Sequence, residues 1–377
     1  MTEMAGFDTS LRDSQSTEVE MLSPQEFDFD RYAAYAQTQD QKVRAFLEAD
    51  SGVLVYRRFR VAEVYGYECR DRELSLKLQL GALSRSMEYA ADMANYLEPW
   101  YGIGVGASAF GADYIWMDGQ APALPDLFQS LEEALAFDPK PIHLTRIGQD
   151  QMAYVEYFLE KTKGKLPLSF CDVQSPLNIV SEIMPTSVMF EEMLEDPDAY
   201  SELAYRASGL MKDYLLRMKD LIGEALALPG HGFASSRRMT GLGASADTSI
   251  MISNDMFDDL EAGQLADLCA PFGGSFYHSC GNWGKKIPSV LKVSNLIGAD
   301  GAFSIETDPS PNDPATFGQA FAGTGKILNT RVVGDVDTVV DTVKKLWHPG
   351  LRLIVNTYCK TPEEQQEAYD RIHEICR

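Results

Sequence analysis

The feature that most constrains the fold of this chain is an alternation that begins near residue 100. From there to the C-terminus, short runs of apolar, β-prone residues alternate with helical stretches such as 198–228 and 336–346. A strand followed by a helix, repeated along a chain, predicts a parallel sheet covered by helices. The predicted strands are residues 113–117, 166–171, 248–252, 275–277, 302–305, 326–329 and 351–355.

Polar residues follow most of these predicted strands. In a parallel barrel the carboxyl ends of all strands gather at one mouth, which holds the active site. We therefore predict an α/β fold, a (β/α)8 TIM barrel with an N-terminal helical extension. A doubly wound open sheet would also collect some of these ends, but no G-x-G-x-x-G follows the first strand. The polar residues at the strand ends include Asp118, Asp172, His278, Glu306 and Cys359.

The length of 377 residues and the 45% hydrophobic composition allow one large domain with an ample core. We assign residues 23–377 to a single (β/α)8 barrel domain, and we predict that its first ~75 residues are mainly helical. Residues 1–22 are assigned to an acidic N-terminal arm, which we expect to be mobile or ordered by a partner.

A formal net charge of −23 disfavours binding to nucleic-acid phosphates and to anionic membrane surfaces. No apolar run approaches the roughly 20 residues that span a bilayer, and the N-terminus lacks the basic and apolar regions of a signal peptide. We therefore expect a cytoplasmic protein without nucleic-acid or membrane partners. Its six cysteines are then thiols or metal ligands and not disulfides.

The clearest chemical signal is a candidate metal site made of His278, Cys280 and the distant Cys359. One imidazole and two thiolates suit Zn²⁺, and three protein ligands leave a fourth position open, as in catalytic sites. A His two positions before a Cys arises often by chance, so the placement of Cys359 after the last strand is important. If this assignment holds, Cys359→Ala abolishes zinc binding and leaves the protein folded.

Residues 102–364 resemble the uroporphyrinogen decarboxylase superfamily, diffusely and over roughly two-thirds of the chain. One branch of this superfamily consists of metal-free decarboxylases with an Arg-rich N-terminal loop and a pyrrole-binding Asp. The other consists of corrinoid-dependent methyltransferases, such as methylcobalamin:coenzyme M methyltransferases, which bind zinc through His-x-Cys and a distal Cys. The matching stretches are Phe110-Gly111-Ala112-Asp113, Cys171-Asp172-Val173-Gln174-Ser175-Pro176-Leu177, residues 247–257, residues 272–282 and Gly298-Ala299-Asp300-Gly301.

The His278, Cys280 and Cys359 pattern resembles the methyltransferase branch. The resemblance implies a zinc-dependent methyltransferase that moves a methyl group between a corrinoid and a small substrate. That substrate is a thiol or a methylated compound, and either direction of transfer is compatible. The implied methyl carrier is methylcobalamin, held on a separate corrinoid protein that docks at the mouth of the barrel.

Further candidate site residues come from the other strand ends. We assign catalytic roles to Asp118, Asp172 and Glu306 and substrate-binding roles to Asn282 and Asp247. Asp247 or Glu306 is also a candidate partner for His278 or a fourth zinc ligand. Acids and Asn at strand ends are also common as helix caps or solvated loop residues, and these simpler roles stay open.

Two other functions remain open at this point. The first is a metal-independent decarboxylase of a uroporphyrinogen-like tetrapyrrole, with Asp118 near the position of the decarboxylase Asp. Against it, the sequence lacks the Arg-Gln-Ala-Gly-Arg-Tyr loop, and Arg57-Arg58-Phe59-Arg60 is the nearest equivalent. The second is a non-catalytic barrel that binds a corrinoid or zinc. Metal analysis and turnover with methylcobalamin distinguish these alternatives.

Overall fold

A computed structural model describes residues 14–377, and residues 1–13 lie outside the described residues. Six strands form one sheet in the order β1-β6-β5-β4-β3-β2, and every neighbouring pair is parallel. All six carboxyl ends therefore lie along the same edge of the sheet. The strands are β1 Gly52–Arg57, β2 Leu242–Ser245, β3 Ser275–His278, β4 Leu296–Ala302, β5 Ile327–Val332 and β6 Arg352–Thr357.

Helices separate most of the strands and cover the sheet. None of the helices described is both long enough and apolar enough to cross a bilayer. They are α1 Phe29–Glu48, α2 Arg72–Ser86, α3 Leu131–Ala136, α4 Arg146–Thr162, α5 Pro176–Ser181, α6 Thr186–Glu195, α7 Pro197–Ile222, α8 Asn254–Leu260, α9 Ala262–Cys269, α10 Ile287–Val290, α11 Pro314–Phe321, α12 Val336–Leu346 and α13 Pro362–Ile375.

The central strands are buried on both faces, as expected for a parallel sheet between helices. Every residue of β5 is buried, and so are five of the six residues of β6. The covering helices bury one apolar stripe each. In α12 the stripe includes Val339, Val343 and Leu346, which recur every three or four residues as one helix face requires.

The structure confirms the α/β class and the parallel sheet, and it corrects several strand assignments. Strands β3, β5 and β6 overlap the predictions 275–277, 326–329 and 351–355, whereas β4 begins before the predicted 302–305. The prediction of a strand at 248–252 is wrong, because residues Asp247–Met251 form a 3-10 helix. The actual strand β2 reads Leu-Gly-Ala-Ser, whose small residues have low β propensity.

Two further corrections concern the first third of the chain. The stretch 113–117 was expected to be a strand, but it makes only an isolated bridge between Ile115 and Ala123. Strand β1 lies inside the region that was predicted to be mainly helical. The first helix of this region, α1, begins at Phe29 and is capped by Asp28.

Two extended segments continue the backbone pairing beyond the six named strands. The amide of Asp92 donates to the carbonyl of Val55 in β1 over 2.7 Å, and the amide of Leu97 donates to Pro167 over 2.8 Å. The amide of Ser245 in β2 donates to Val173 over 2.8 Å. Residues 92–97 and 166–175 therefore link β1 to β2 through backbone hydrogen bonds, and the predicted strand 166–171 takes part as isolated bridges.

Glu261 is a completely buried carboxyl at the junction of α8 and α9. One of its oxygens accepts a hydrogen bond from the amide of Leu177, in the first turn of α5, over 3.1 Å. Burial raises the pKa of Glu261 to about 7. Because this pKa lies above the value of about 4.3 in an unfolded chain, the folded state favours the neutral acid and loses stability as pH rises between the two values.

We expect Glu261→Gln to stabilise the protein at neutral and alkaline pH, because an amide fills the same site without ionising. The gain should approach about 3 kcal/mol at about pH 8 and vanish near about pH 4. Chemical unfolding at a series of pH values measures it, with Glu63→Gln at an exposed position as the control. A constant offset between Glu261→Gln and the wild type at every pH would contradict this account.

Candidate metal centre

Asp247, His278 and Cys280 bring three donor atoms together. The Nε2 atom of His278 lies 3.6 Å from the Cys280 sulfur and 3.6 Å from Oδ1 of Asp247. All three donor atoms lie within 4.8 Å of one another. A tetrahedral zinc ion, with bonds of about 2.0–2.3 Å, holds its ligand atoms roughly 3.3–3.8 Å apart. These two separations therefore fit a metal ion.

The parallel register of β2 and β3 explains why these residues meet. His278 is the last residue of β3 and pairs with Ser245, the last residue of β2. Asp247 and Cys280 each lie two residues beyond this pair, and the amide of Cys280 donates to Oδ1 of Asp247 over 2.5 Å. Gly281 then turns the chain with a φ of +72°, a conformation that favours glycine.

A buried carboxylate fixes the orientation of the His278 ring. Asp300, in β4, is 1% exposed, and its Oδ2 lies 2.7 Å from Nδ1 of His278. Arg331 donates to the same oxygen over 2.9 Å, and Asn329 donates to the other. With Nδ1–H held by Asp300, the Nε2 lone pair is available to a metal, which is the usual arrangement of ligating histidines.

The charges around His278 favour a cation at this position. Burial alone lowers the pKa of His278, but the carboxylates of Asp300 and Asp247 and the sulfur of Cys280 outweigh it and hold that pKa well above its usual value. Burial likewise opposes ionisation of Asp300, yet Arg331 and His278 keep its pKa low. The same negative groups that attract a proton to the imidazole would attract a metal ion.

Cys359 does not join this cluster, which corrects its predicted placement at the cavity. It is 2% exposed and packs in the hydrophobic core, where burial raises the pKa of its thiol to about 11. Its carbonyl accepts a hydrogen bond from Nε of Arg57 over 2.8 Å. This bond from the end of β1 holds the segment that follows β6 in the core, and Asp247 lies beside His278 and Cys280 instead.

The cluster opens into a cavity of about 760 Å³ at the carboxyl edge of the sheet. Asp172, Asp247, His278, Cys280 and Glu306 all line it, as predicted. Asp118 does not line it and lies in an exposed turn, because no strand precedes it to bring it to that edge. Asn282 does not line it either, since its amide binds Pro311 and Gly284 and so shapes the neighbouring loop.

A second polar group lines the same cavity. The two ring nitrogens of His231 lie 3.0 Å from Oε1 of Glu98 and 3.3 Å from Oδ2 of Asp172. Arg58 forms an ion pair with Glu98 over 3.3 Å, and the indole N–H of Trp100 donates to Asp172 over 3.2 Å. Asp172 is thus held in place by several donors, with His231 between it and Glu98.

Glu182 adds a carboxyl group to the cavity wall. Burial, together with the negative charges of Asp172 and Asp247, raises the pKa of Glu182 well above its usual value. These surroundings favour the protonated acid over the carboxylate, and the protonated acid can donate a hydrogen bond where the neighbouring carboxylates can only accept.

Sequence reasoning missed Asp300, Glu98, His231 and Glu182. Asp300 had a detectable signal, since a charged residue inside the apolar run of β4 is costly unless it is paired. Glu98 follows an extended segment that the sequence did not reveal as sheet-like. His231 and Glu182 lie in loops and at a helix end, where nothing in the sequence distinguishes them from surface residues.

The fold resembles that of a solved "methyltransferase from Methanosarcina mazei". The two structures superpose with a TM-score of 0.62 and share 16% sequence identity, covering 89% of this chain and 98% of the other. No family model matches the sequence, and no curated protein matches it. The likeness therefore establishes a shared fold.

We expect Asp300→Asn to weaken metal binding, because the amide cannot hold Nδ1–H of His278 with a full negative charge. Losing such an outer partner typically costs about 10- to 100-fold in metal affinity. Competition with a chromophoric chelator measures the loss. Glu306→Gln removes the same charge from the cavity without touching His278, so an equal loss in both variants would show that Asp300 acts only through its charge.

Proposed function

We propose that this protein is a zinc-dependent methyltransferase that moves a methyl group between a corrinoid and a small substrate held in the cavity. The observation that carries the proposal is the Asp247, His278 and Cys280 cluster, with the spacing of metal ligands, opening into a cavity large enough for a small molecule. The shared fold with a methyltransferase supports the same conclusion.

The proposed architecture is a closed (β/α)8 barrel. The six strands supply most of its wall, and the extended segments 92–97 and 166–175 supply the other two positions. Their backbone hydrogen bonds to Val55 of β1 and from Ser245 of β2 support this arrangement. A closed barrel places the carboxyl end of each strand around one mouth, where the cavity lies.

The donor set of one imidazole, one thiolate and one carboxylate fits zinc. Sulfur and imidazole ligands favour Zn²⁺ over Mg²⁺ and Ca²⁺, which bind through oxygen. Asp247 replaces Cys359 in the proposed ligand set, and the charge of the donors is unchanged. A bound zinc ion supplies Lewis acidity at its open position, which ionises a thiol or polarises a methylated substrate.

The surrounding residues position the ligands and the substrate. Asp300 holds the His278 ring, and Arg331 keeps Asp300 ionised through its positive charge. Asp172 and His231 present a polar group at another part of the cavity wall, where a polar end of the substrate can bind. A substrate fixed in this way has its reacting atom oriented, which is a large part of the rate gain in group transfer.

The rim of the cavity supports docking of a corrinoid protein. The loops at the carboxyl edge carry exposed apolar side chains, among them Met251 at 65% and Ile305 at 68% exposure. Ile103 and Ile305 line the cavity itself. Exposed apolar side chains around a polar cavity are typical of a protein contact surface.

The decarboxylase alternative loses the residue on which it rested. Asp118 is exposed and lies away from the cavity. No observation favours decarboxylation over methyl transfer. An assay of methyl transfer distinguishes an enzyme from the non-catalytic alternative.

We expect the wild-type protein to bind one zinc ion per chain and Asp247→Ala to lose it, while Cys359→Ala keeps it. The reason is that, among the residues described, the Asp247 carboxylate completes a group of three donors with Nε2 of His278 and the Cys280 sulfur, whereas Cys359 lies in the core. Elemental analysis after dialysis against a weak chelator measures occupancy, with Cys269→Ala as a buried-thiol control. Loss of zinc in Cys359→Ala and its retention in Asp247→Ala would restore the ligand set predicted from the sequence.

We expect zinc-loaded protein to transfer a methyl group between methylcobalamin and at least one member of a panel of thiols. His278→Ala should lower the rate at least about 100-fold, since it removes a metal ligand, and circular dichroism should remain native because the core does not depend on the metal. The visible spectrum of methylcobalamin follows the reaction. A zinc-loaded protein inactive with both free and protein-bound corrinoids, in both directions, would leave only the binding function.

A further inference from the structure

Residues 14–22 run along the body of the protein, and we refer to them as the strap. The amide of Thr17 donates to the carbonyl of Arg60 over 2.8 Å, and Ser16 bridges to Arg60 in parallel. The amide of Leu22 donates to the carbonyl of Lys77 in α2 over 3.1 Å. The hydroxyl of Ser14 donates to the carbonyl of Glu306 over 2.6 Å. The strap is thus bound at both ends and in the middle.

The contacts of the strap place it at the carboxyl edge of the sheet. Arg60 follows the carboxyl end of β1, and Glu306 follows the carboxyl end of β4. A segment bound to both positions therefore lies at this edge, beside the cavity. Ser14 and Gln15 line the cavity together with His278 and Cys280.

A glycine inside α2 makes room for the strap. A Cβ atom added at Gly81 would lie 1.8 Å from the carbonyl oxygen of Glu20 and 2.9 Å from its carbonyl carbon. Both are backbone atoms, so the strap would have to move. Glycine in a helix interior is destabilising relative to alanine, and at this position it permits close approach of the strap backbone.

We propose that the strap is a specificity-determining wall of the cavity, which admits narrow ligands to the Cys280 end and excludes broad ones. The strap is fixed by backbone hydrogen bonds to Lys77 in α2 and to Arg60 after β1, and by the bond from the Ser14 hydroxyl to Glu306 after β4. The ligands it selects are small molecules that fit between Ser14 and the Cys280 loop. This proposal does not depend on methyl transfer, because it concerns access to the cavity alone.

Cys280 reports directly on that access. It is the exposed cysteine of the chain, and the other five, Cys69, Cys171, Cys269, Cys359 and Cys376, are buried. Its alkylation rate therefore measures how easily a reagent enters the cavity. Iodoacetamide is a narrow reagent and fluorescein maleimide is a broad one. With EDTA present, no metal masks the thiol, and mass spectrometry confirms the labelled residue.

The experiment compares Gly81→Ala with Gly209→Ala in the full-length chain. Gly209 lies inside α7, and a Cβ there meets nothing within 4 Å, so it is a matched helix-interior control. We expect Gly81→Ala to raise the rate of labelling by the broad reagent about tenfold and to change labelling by the narrow reagent little. Gly209→Ala should label like the wild type with both reagents.

Two further measurements test the proposal even if Gly81→Ala displaces the strap only near Glu20. Glutamyl endopeptidase should cleave after Glu18 and Glu20 faster in Gly81→Ala, which shows that the strap has moved. Ser14→Trp should have the opposite effect and slow the broad reagent relative to the narrow one. If the strap is cleaved faster in Gly81→Ala while the ratio of the two labelling rates is unchanged in both variants, the strap does not select ligands.

Discussion

The interaction on which the site depends is the burial of the Asp300 carboxylate among three partners. His278 binds it from β3, and Asn329 and Arg331 bind it from β5. Removing a carboxylate from water costs several kcal/mol unless charged and hydrogen-bonding groups compensate. Here the compensating groups come from both neighbouring strands. The hydrogen bonds and ion pairs of the Asp300 carboxylate therefore form only when β3, β4 and β5 pair in the observed register. The geometry of the Asp247, His278 and Cys280 cluster therefore depends on the pairing of these strands.

The fold was predictable where the sequence pattern is strong. Strands β5 and β6 each contain a short apolar run, Ile327-Leu328 and Leu353-Ile354-Val355, and α12 has a regular apolar stripe, so both kinds of element were located from the sequence. Strand β2 was missed because Leu-Gly-Ala-Ser has no β-branched or aromatic residue. Its burial comes from tertiary packing between β3 and the segment 166–175, which no local pattern reveals.

The candidate site was predictable in part, for a similar reason. His278 and Cys280 are close in sequence, and Asp172 and Glu306 were correctly placed at the cavity because each follows an extended segment. Asp118 was misplaced because the strand before it does not exist. Cys359 was expected beside His278 and Cys280, but Asp247 lies there, because the placement of these two residues depends on register and on one hydrogen bond from Arg57. Such contacts join residues far apart in the chain, and neither composition nor the spacing of residues predicts them.

The bond between Ser14 and Glu306 spans 292 positions of sequence, and this separation orders the events of folding. Ser14 leaves the ribosome early, but its partner becomes available only after most of the chain has been made. Contacts of such long range form late, because the loop they close carries a large entropic cost until the intervening structure exists. Asp247, His278 and Cys280 all precede Glu306 in the chain. Asn329 and Arg331, which hold Asp300 beside His278, follow Glu306. The contact of Ser14 with Glu306 and the register that orients His278 therefore both form only after β4 and β5 have been made.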